Sequence, residues 1–218
     1  RRVVGLKDCE PDVVEHLPLL LQKAKHILIK ASPLLDIKQT LIDLPFITTV
    51  HGVAVENECK ELLFKIEQGE SLSKGFSIKT INFKNDGSRQ VFDFQWKEEA
   101  TMAVSLSGPQ RYVYEPNVAI LKAGAFKTIA KTFQLMKIAS HSHLYTSENL
   151  KSDFPGRIFE VQAIVKADSK ALAPYLPDGK ANLTVRNFPT TTDELRKKLK
   201  LKDGGDVYLL ATTRSNGD

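Results

Sequence analysis

Few residues of this chain have the type and spacing that covalent chemistry needs. His141-Ser142-His143 is the one close histidine pair. It has no cysteine and no paired carboxylates at metal-ligand spacing beside it, so two loop histidines describe it better than a zinc site, and no metal centre is expected. Cys59 is flanked by Glu58 and Glu61, whose charges would raise its thiol pKa and weaken it as a nucleophile. Cys9 and Cys59 lie too far apart to suggest a shared ion, and two cysteines cannot build a disulfide framework. A reducing, cytoplasmic setting is the default for such a chain. No G-x-S-x-G, Walker A or G-x-G run occurs, so no glycine loop for a nucleotide cofactor is visible.

Two segments have the pattern of a binding edge. Lys30-Ala31-Ser32-Pro33 with Asp36 follows a short apolar run, His26–Lys30, that reads as a buried strand. In open α/β sheets, ligands bind outside the carboxyl ends of the strands. A strand-to-helix turn, with Pro33 as breaker and Asp36 as cap, accounts for the same residues equally well. Asn57-Glu58-Cys59-Lys60-Glu61 follows the next strand and meets the same choice.

Charge singles out a third segment. Between Lys180 and Lys202 stand seven basic residues against two acidic ones, which accounts for the net charge of +5 of the whole chain. A localised basic stretch is the footprint of phosphate-backbone binding, although a solvated lysine-rich helix face has the same composition.

The elements that must position these residues follow from periodicity. Val13 to Ala24 has helical spacing with Asp12 and Glu15 as an N-terminal cap pair, and Pro18 should delay or break it. A brief helix is expected over Ile37–Leu44 and a strand over Phe46–Val55. Asn57–Glu67 reads as an amphipathic helix with Leu62, Leu63 and Ile66 inward. Strands at Phe76–Phe83 and Val91–Trp96 flank the hairpin turn Asn85-Asp86-Gly87-Ser88. Beyond Trp96, a strand over Arg111–Glu115 leads to a helix carrying Val118, Leu121, Ala125, Ile129 and Phe133 on one face. Ala139–Glu148 reads as a loop. Next come a strand from Phe159 to Val165, a helix over Ser169–Leu176 and a strand over Asn182–Phe188. A helix over Thr192–Lys200 with a Thr191/Glu194 capping box leads to a strand over Val207–Ala211.

Hydrophobic content of 42% and charged content of 26% belong to a folded globular chain rather than a disordered one. No apolar run approaches the roughly 18 residues of a membrane span. The chain opens Arg1-Arg2-Val3-Val4 and reads like the interior of a longer protein.

A series of motifs resembles one family from end to end. They include Asp8-Cys9-Glu10-Pro11-Asp12, Ile29-Lys30-Ala31-Ser32-Pro33-Leu34-Leu35-Asp36, Val55-Glu56-Asn57-Glu58-Cys59-Lys60-Glu61-Leu62 and Tyr114-Glu115-Pro116-Asn117. Lys122-Ala123-Gly124-Ala125, Ser142–Ser147, Phe154-Pro155-Gly156-Arg157, Arg186-Asn187-Phe188-Pro189, Leu195–Asp206 and Ala211-Thr212-Thr213 continue the match. The chain is similar to the C-terminal portion of bacterial class I S-adenosylmethionine-dependent methyltransferases that carry a THUMP-like domain.

That resemblance implies an α/β plus α+β fold. Residues 1–96 would be the C-terminal half of a Rossmann-like methyltransferase sheet, 97–152 a ferredoxin-like connecting segment and 153–218 a THUMP-like domain. It implies S-adenosylmethionine as the cofactor of the full-length family and structured RNA, tRNA or rRNA, as partner. Lys30, Ser32, Pro33, Asp36 and Asn57 would border the methyl-transfer crevice. Arg186, Arg196, Lys197, Lys198 and Lys200 would hold phosphates, with Phe188 and Tyr208 available for stacking. The glycine-rich loop and the Asp-Pro-Ala-Arg-Arg-type motif of such enzymes are not in this sequence, so binding without catalysis is expected of this chain. A non-catalytic RNA- or protein-binding module, or part of a protein methyltransferase, are the alternatives.

Overall fold

The computed structural model describes residues 5–68 and 75–213. The Arg1-Arg2-Val3-Val4 stretch lies outside them. Two compact units divide the chain: Arg1–Ala103 with Asn117–Ile129, and Val104–Pro116 with Ala130–Asp218. This partition differs from the expected division at 96 and 152. The helical stretch after Asn117 packs with the first sheet, so the chain between the two halves belongs partly to each.

The first unit is a mixed sheet under helices. Helix α1 (Val13–Lys23) is capped by Asp12, whose carboxylate accepts the backbone N–H of Val14 and Glu15 at 2.9 and 3.1 Å. Pro18 neither delays nor ends it. It removes one backbone donor, while Leu17 beside it is buried and anchors that turn. Strand β1 (His26–Ala31) leads to α2 (Ile37–Asp43), and β2 (Ile47–Val55) to β3 (Glu58–Glu67). Strands β4 (Ser77–Phe83) and β5 (Arg89–Gln95) complete a five-stranded sheet in the order β1-β3-β2-β4-β5.

Strand β3 corrects the helix expected over Asn57–Glu67. Leu62, Phe64 and Ile66 are fully buried at every second position, on one face of the sheet. Glu56 and Asn57 both have positive φ, 49° and 60°, and turn the chain directly from β2 into its antiparallel partner. Because β3 runs against both β1 and β2, those two are parallel to each other, and β2 is parallel to β4. The carboxyl ends of three strands therefore share one edge. The Asn85–Ser88 turn forms as expected, with Gly87 at φ 81° and Asp86 accepting the Ser88 N–H at 2.8 Å.

Trp96 opens α3 (Trp96–Thr101) and stacks on Phe76 at 5.6 Å between ring centroids. The Glu99 carboxylate collects the backbone N–H groups of Phe126, Lys127 and Thr128, fixing the start of α5 (Thr128–Thr132). The helix expected from Val118 through Phe133 is instead α4 (Val118–Ala123), stopped by Gly124 in the left-handed conformation, followed by α5.

The second unit holds a four-stranded antiparallel sheet in the order β7-β8-β6-β9, with β6 (Tyr112–Pro116), β7 (Met136–Lys137), β8 (Tyr145–Ser147) and β9 (Gly156–Glu160). Strand β8 lies inside the stretch read as a loop, and β9 stops five residues short of Val165. Ile164 and Val165 are exposed, with no neighbouring strand to extend the ladder. Gly156 lets the start of β9 lie close against its antiparallel partner β6: a Cβ there would lie 2.7 Å from the Phe154 ring and 2.9 Å from Pro116 Cα, and would overlap the Glu115 carbonyl oxygen.

Helix α6 (Ser169–Leu172), strand β10 (Asn182–Arg186), helix α7 (Thr192–Leu199) and strand β11 (Tyr208–Thr212) complete the unit. Strands β10 and β11 pair in parallel across α7. The Thr191/Glu194 capping box forms as expected. Leu172, Leu176, Ala181, Leu195 and Leu199 make the core of this part.

Candidate nucleic-acid interface and sheet-edge site

The sheet edge of the first unit carries Lys30, Ser32, Pro33, Asp36 and Asn57, and the structure gives most of them local work. Lys30 Nζ donates to Glu61 Oε1 at 3.1 Å across the β1–β3 ladder. Ser32 Oγ accepts the Leu34 N–H at 3.2 Å, and Pro33 sits in the turn between them. Asp36 is the N-cap of α2 and accepts the Gln39 N–H at 2.9 Å. Asn57 accepts the Val118 N–H at 2.8 Å and donates its own N–H to Asn82 at 2.9 Å. With Asn117 capping the next two N–H groups, Asn57 closes the amino end of α4.

Ser32 and Asn57 thus stand at the same edge of the sheet, but as turn and cap. As a cofactor cradle the set does not fit: Ser32, Asp36 and Asn57 accept neighbouring backbone N–H groups, Lys30 is paired with Glu61, and among the described residues no glycine turn faces them.

The Cys59 thiol is pushed up in pKa, the expected direction, by burial rather than by carboxylates; nearby Lys122 opposes the shift. Glu58 and Glu61 are occupied by Lys60 at 2.7 Å and Lys30 at 3.1 Å. No group of three or more His, Cys, Asp or Glu side chains comes within metal-binding reach among the described residues. A cleft of about 630 Å³ in the first unit is lined by Leu41, Ile42, Phe76, Trp96, Phe126 and Lys127 among others, none of which the sequence had marked.

In the second unit the basic segment splits in two. Arg196, at the amino end of β10, donates to the Ala181 carbonyl at 3.5 Å and pairs with Asp203 at 2.9 Å. Lys180, Lys197, Lys198, Lys200 and Lys202 are exposed on this side, and Lys180 and Lys202 form a backbone bridge. Among the described residues none of these five lysines forms an ion pair. Arg186 lies at the opposite end of β10. Its Nη2 reaches Glu115 Oε1 at 2.7 Å, and Arg157 binds the other oxygen of that carboxylate, Nε at 2.9 Å. Glu115, 4% exposed in its side chain, therefore holds two guanidinium groups. Phe188 packs against the module's core rather than standing free. Tyr208 is exposed, and its ring lies 5.0 Å from Phe159.

His141-Ser142-His143 serves a turn. Ser142 Oγ accepts the N–H groups of Ala139 and Leu144 at 3.2 and 3.3 Å. His143 adopts φ 51°, and its pKa is lowered to about 4, first by burial and then by Lys137, His141 and Arg186. A histidine depressed in the folded state and ordinary in the unfolded one lets the unfolded chain bind more protons between pH 6.5 and about 4. Stability is therefore present above pH 6.5 and lost as the pH falls toward 4. His143→Asn, which tolerates this backbone, should flatten that acid limb by about 1 kcal/mol once half-exposure is discounted. Urea unfolding at pH 7 and pH 4.5 checks this; parallel pH profiles for the two proteins would refute it.

A ferredoxin-like domain family matches residues 112–155, and a THUMP domain-like family matches residues 156–218. Along its whole length the chain is also similar to a crystal structure described as a "putative methyltransferase" from Porphyromonas gingivalis W83, at 38% identity with a TM-score of 0.90. The match covers 100% of this chain and 55% of that one, so the chain spans about half the length of its structural relative. No curated protein matches. The family resemblance and the mixed α/β architecture expected from the sequence both stand. The THUMP-like domain contains β9, β10, α7 and β11, and with them every lysine of the exposed group. No helix among the described residues is long and apolar enough to cross a membrane.

Proposed function

We propose that this chain is the RNA-binding part of a longer S-adenosylmethionine-dependent RNA methyltransferase, with tRNA or rRNA as partner and the cytoplasm as its setting. The observation that carries the reading is the set of exposed lysines, Lys180, Lys197, Lys198, Lys200 and Lys202, within the region that the THUMP domain-like family matches. Arg196 adds to it only partly, since Asp203 takes up some of its charge. Lysines that meet no carboxylate among the described residues can displace counterions from a phosphate backbone. The methyl group would come from S-adenosylmethionine held by the rest of the longer protein. This chain's residues would bind and orient the RNA.

Lys197→Glu, Lys198→Glu and Lys200→Glu together should lower the log–log salt slope of tRNA binding by about 2 to 3 and weaken binding at least about a hundredfold at low salt. These side chains are exposed but end α7, where acidic residues oppose the helix dipole, so circular dichroism checks that the variant is folded before binding is read. Binding by the triple variant equal to wild type would overturn the reading, and failure of the wild type to bind tRNA or rRNA would move the substrate to protein.

A further inference from the structure

Arg186 does not join the lysine group, and its surroundings have the makings of a separate site. Glu115 on β6 is buried, and its two oxygens hold Arg157 of β9 and Arg186 of β10. The two guanidinium groups are fixed side by side, yet their side chains remain 40% and 41% exposed. Arg157 lies over the rings of Phe159 and Tyr208, at 5.4 and 5.6 Å from the centroids. Tyr208, 44% exposed as a residue, stands beside Arg157 at the other end of the β10–β11 ladder from Arg186.

Among the described residues the local charge is not balanced. One carboxylate faces two arginines, and Lys137 and Arg186 both act on the neighbouring His143. Lys137 is itself buried, 7% exposed, with its ammonium donating to the Ser140 carbonyl. A pair meant only to neutralise Glu115 would need one arginine. Among the described residues the second leaves a positive charge at the surface, with the Tyr208 ring beside Arg157.

We infer that Arg157 and Arg186, held by Glu115, bind a phosphate group of an unpaired nucleotide whose base stacks on Tyr208. This rests on the RNA reading above for the source of the nucleotide, and it assigns a subsite distinct from the lysines. Guanidinium forks recognise phosphate oxygens through paired N–H groups, and locking the forks in advance reduces the ordering cost of binding. An aromatic ring supplies a base platform without sequence preference. The lysines would track the backbone of the RNA, and the arginine–tyrosine pair would hold one splayed nucleotide.

The test compares inorganic phosphate, AMP, a five-nucleotide single-stranded oligoadenylate and an RNA duplex. Binding is followed on the side-chain Nε–H signals of Arg157 and Arg186 and on the ring of His143. AMP should bind at least about fivefold tighter than phosphate, and the single strand at least about tenfold tighter than AMP. Tyr208→Leu, which keeps packing against Phe159, should remove the advantage of AMP over phosphate. Arg186→Gln should weaken all three single-stranded or mononucleotide ligands about tenfold, with little effect on duplex binding. Single-strand affinity unchanged in both variants overturns the site while leaving the lysine-based RNA reading intact. AMP binding as tightly as the oligonucleotide overturns an RNA-borne occupant in favour of a free nucleotide. Loss of tRNA binding in the lysine triple variant, with AMP shifts retained, separates the two surfaces and supports the assignment.

Discussion

Gly156→Ala should lower the melting temperature of the second unit by about 12–24 °C. The added methyl meets Glu115 and Pro116 of β6 from one side and the Phe154 ring from the other, with Pro116 Cα at 2.9 Å. Two of the three obstacles are backbone of the adjoining strand, so no rotamer change makes room. Overpacking in a core costs about 1–3 kcal/mol and more where the backbone must move. We expect at least about 3 kcal/mol, the upper end of that range, and each kcal/mol is worth about 4–8 °C in a domain of this size. Near-ultraviolet circular dichroism of Tyr112, Tyr114 and Tyr145 reports the affected sheet. Gly179→Ala is the matched control, because Gly179 has φ 62° but open space around it. It should cost about 1 kcal/mol of backbone strain. If the two glycine variants melt within 2–3 °C of each other, about what 0.5 kcal/mol would produce, the close approach is not what selects Gly156.

The second large effect belongs to Glu115. Replacing it with glutamine keeps its shape and removes the charge that holds Arg157 and Arg186. The two guanidinium groups, until then bridged, would repel each other at short range. Breaking a buried pair costs about 3–5 kcal/mol, and the half-exposure of the arginines reduces this to about 2–3 kcal/mol. Adding Arg157→Met to the glutamine variant should recover part of the loss, because it removes one of the stranded charges. Moderate salt should also help the single variant more than the wild type. A glutamine variant within about 0.5 kcal/mol of wild type by urea unfolding would show that the arginines are held by their aromatic contacts and not by the carboxylate.

Much of the second unit was legible in the sequence. The capping box of Thr191 and Glu194, the inward Leu195 and Leu199 and the alternation of Leu209 and Ala211 all follow from local spacing. Strand β3 was not. Leu62, Leu63 and Ile66 fit a helical stripe, while Leu62, Phe64 and Ile66 fit a strand, and the residue that decides, Phe64, belongs only to the second pattern. The turn that settles the matter is Glu56-Asn57, which lacks the Asn-Gly or Asp-Gly signature of a tight hairpin. Asp36 shows the opposite case: its alternatives as cap or as site residue were equal in sequence, and the Gln39 hydrogen bond identifies the cap.

The basic segment was legible as composition but not as a surface. Its residues lie within one short stretch, yet strand β10 carries Arg186 to one end and leaves the lysines at the other. Arg186 and Arg157 come together only because β9 and β10 converge on Glu115, which no local pattern announces. The one hint was that Glu115 and Arg157 both lie in motifs shared with the family, next to Pro116 and Gly156, where a close strand approach demands specific residues.

That pairing has a consequence for inheritance. The ferredoxin-like match stops at residue 155 and the THUMP-like match starts at 156, but the first strand after the boundary, β9, pairs with β6 from before it. Recombination at that point would hand each product an open sheet edge, and Glu115 would part from both its arginines. The two regions can be named separately, but a lineage that exchanged one for an unrelated module would lose the sheet that both contribute to, so they are expected to travel through evolution as a pair.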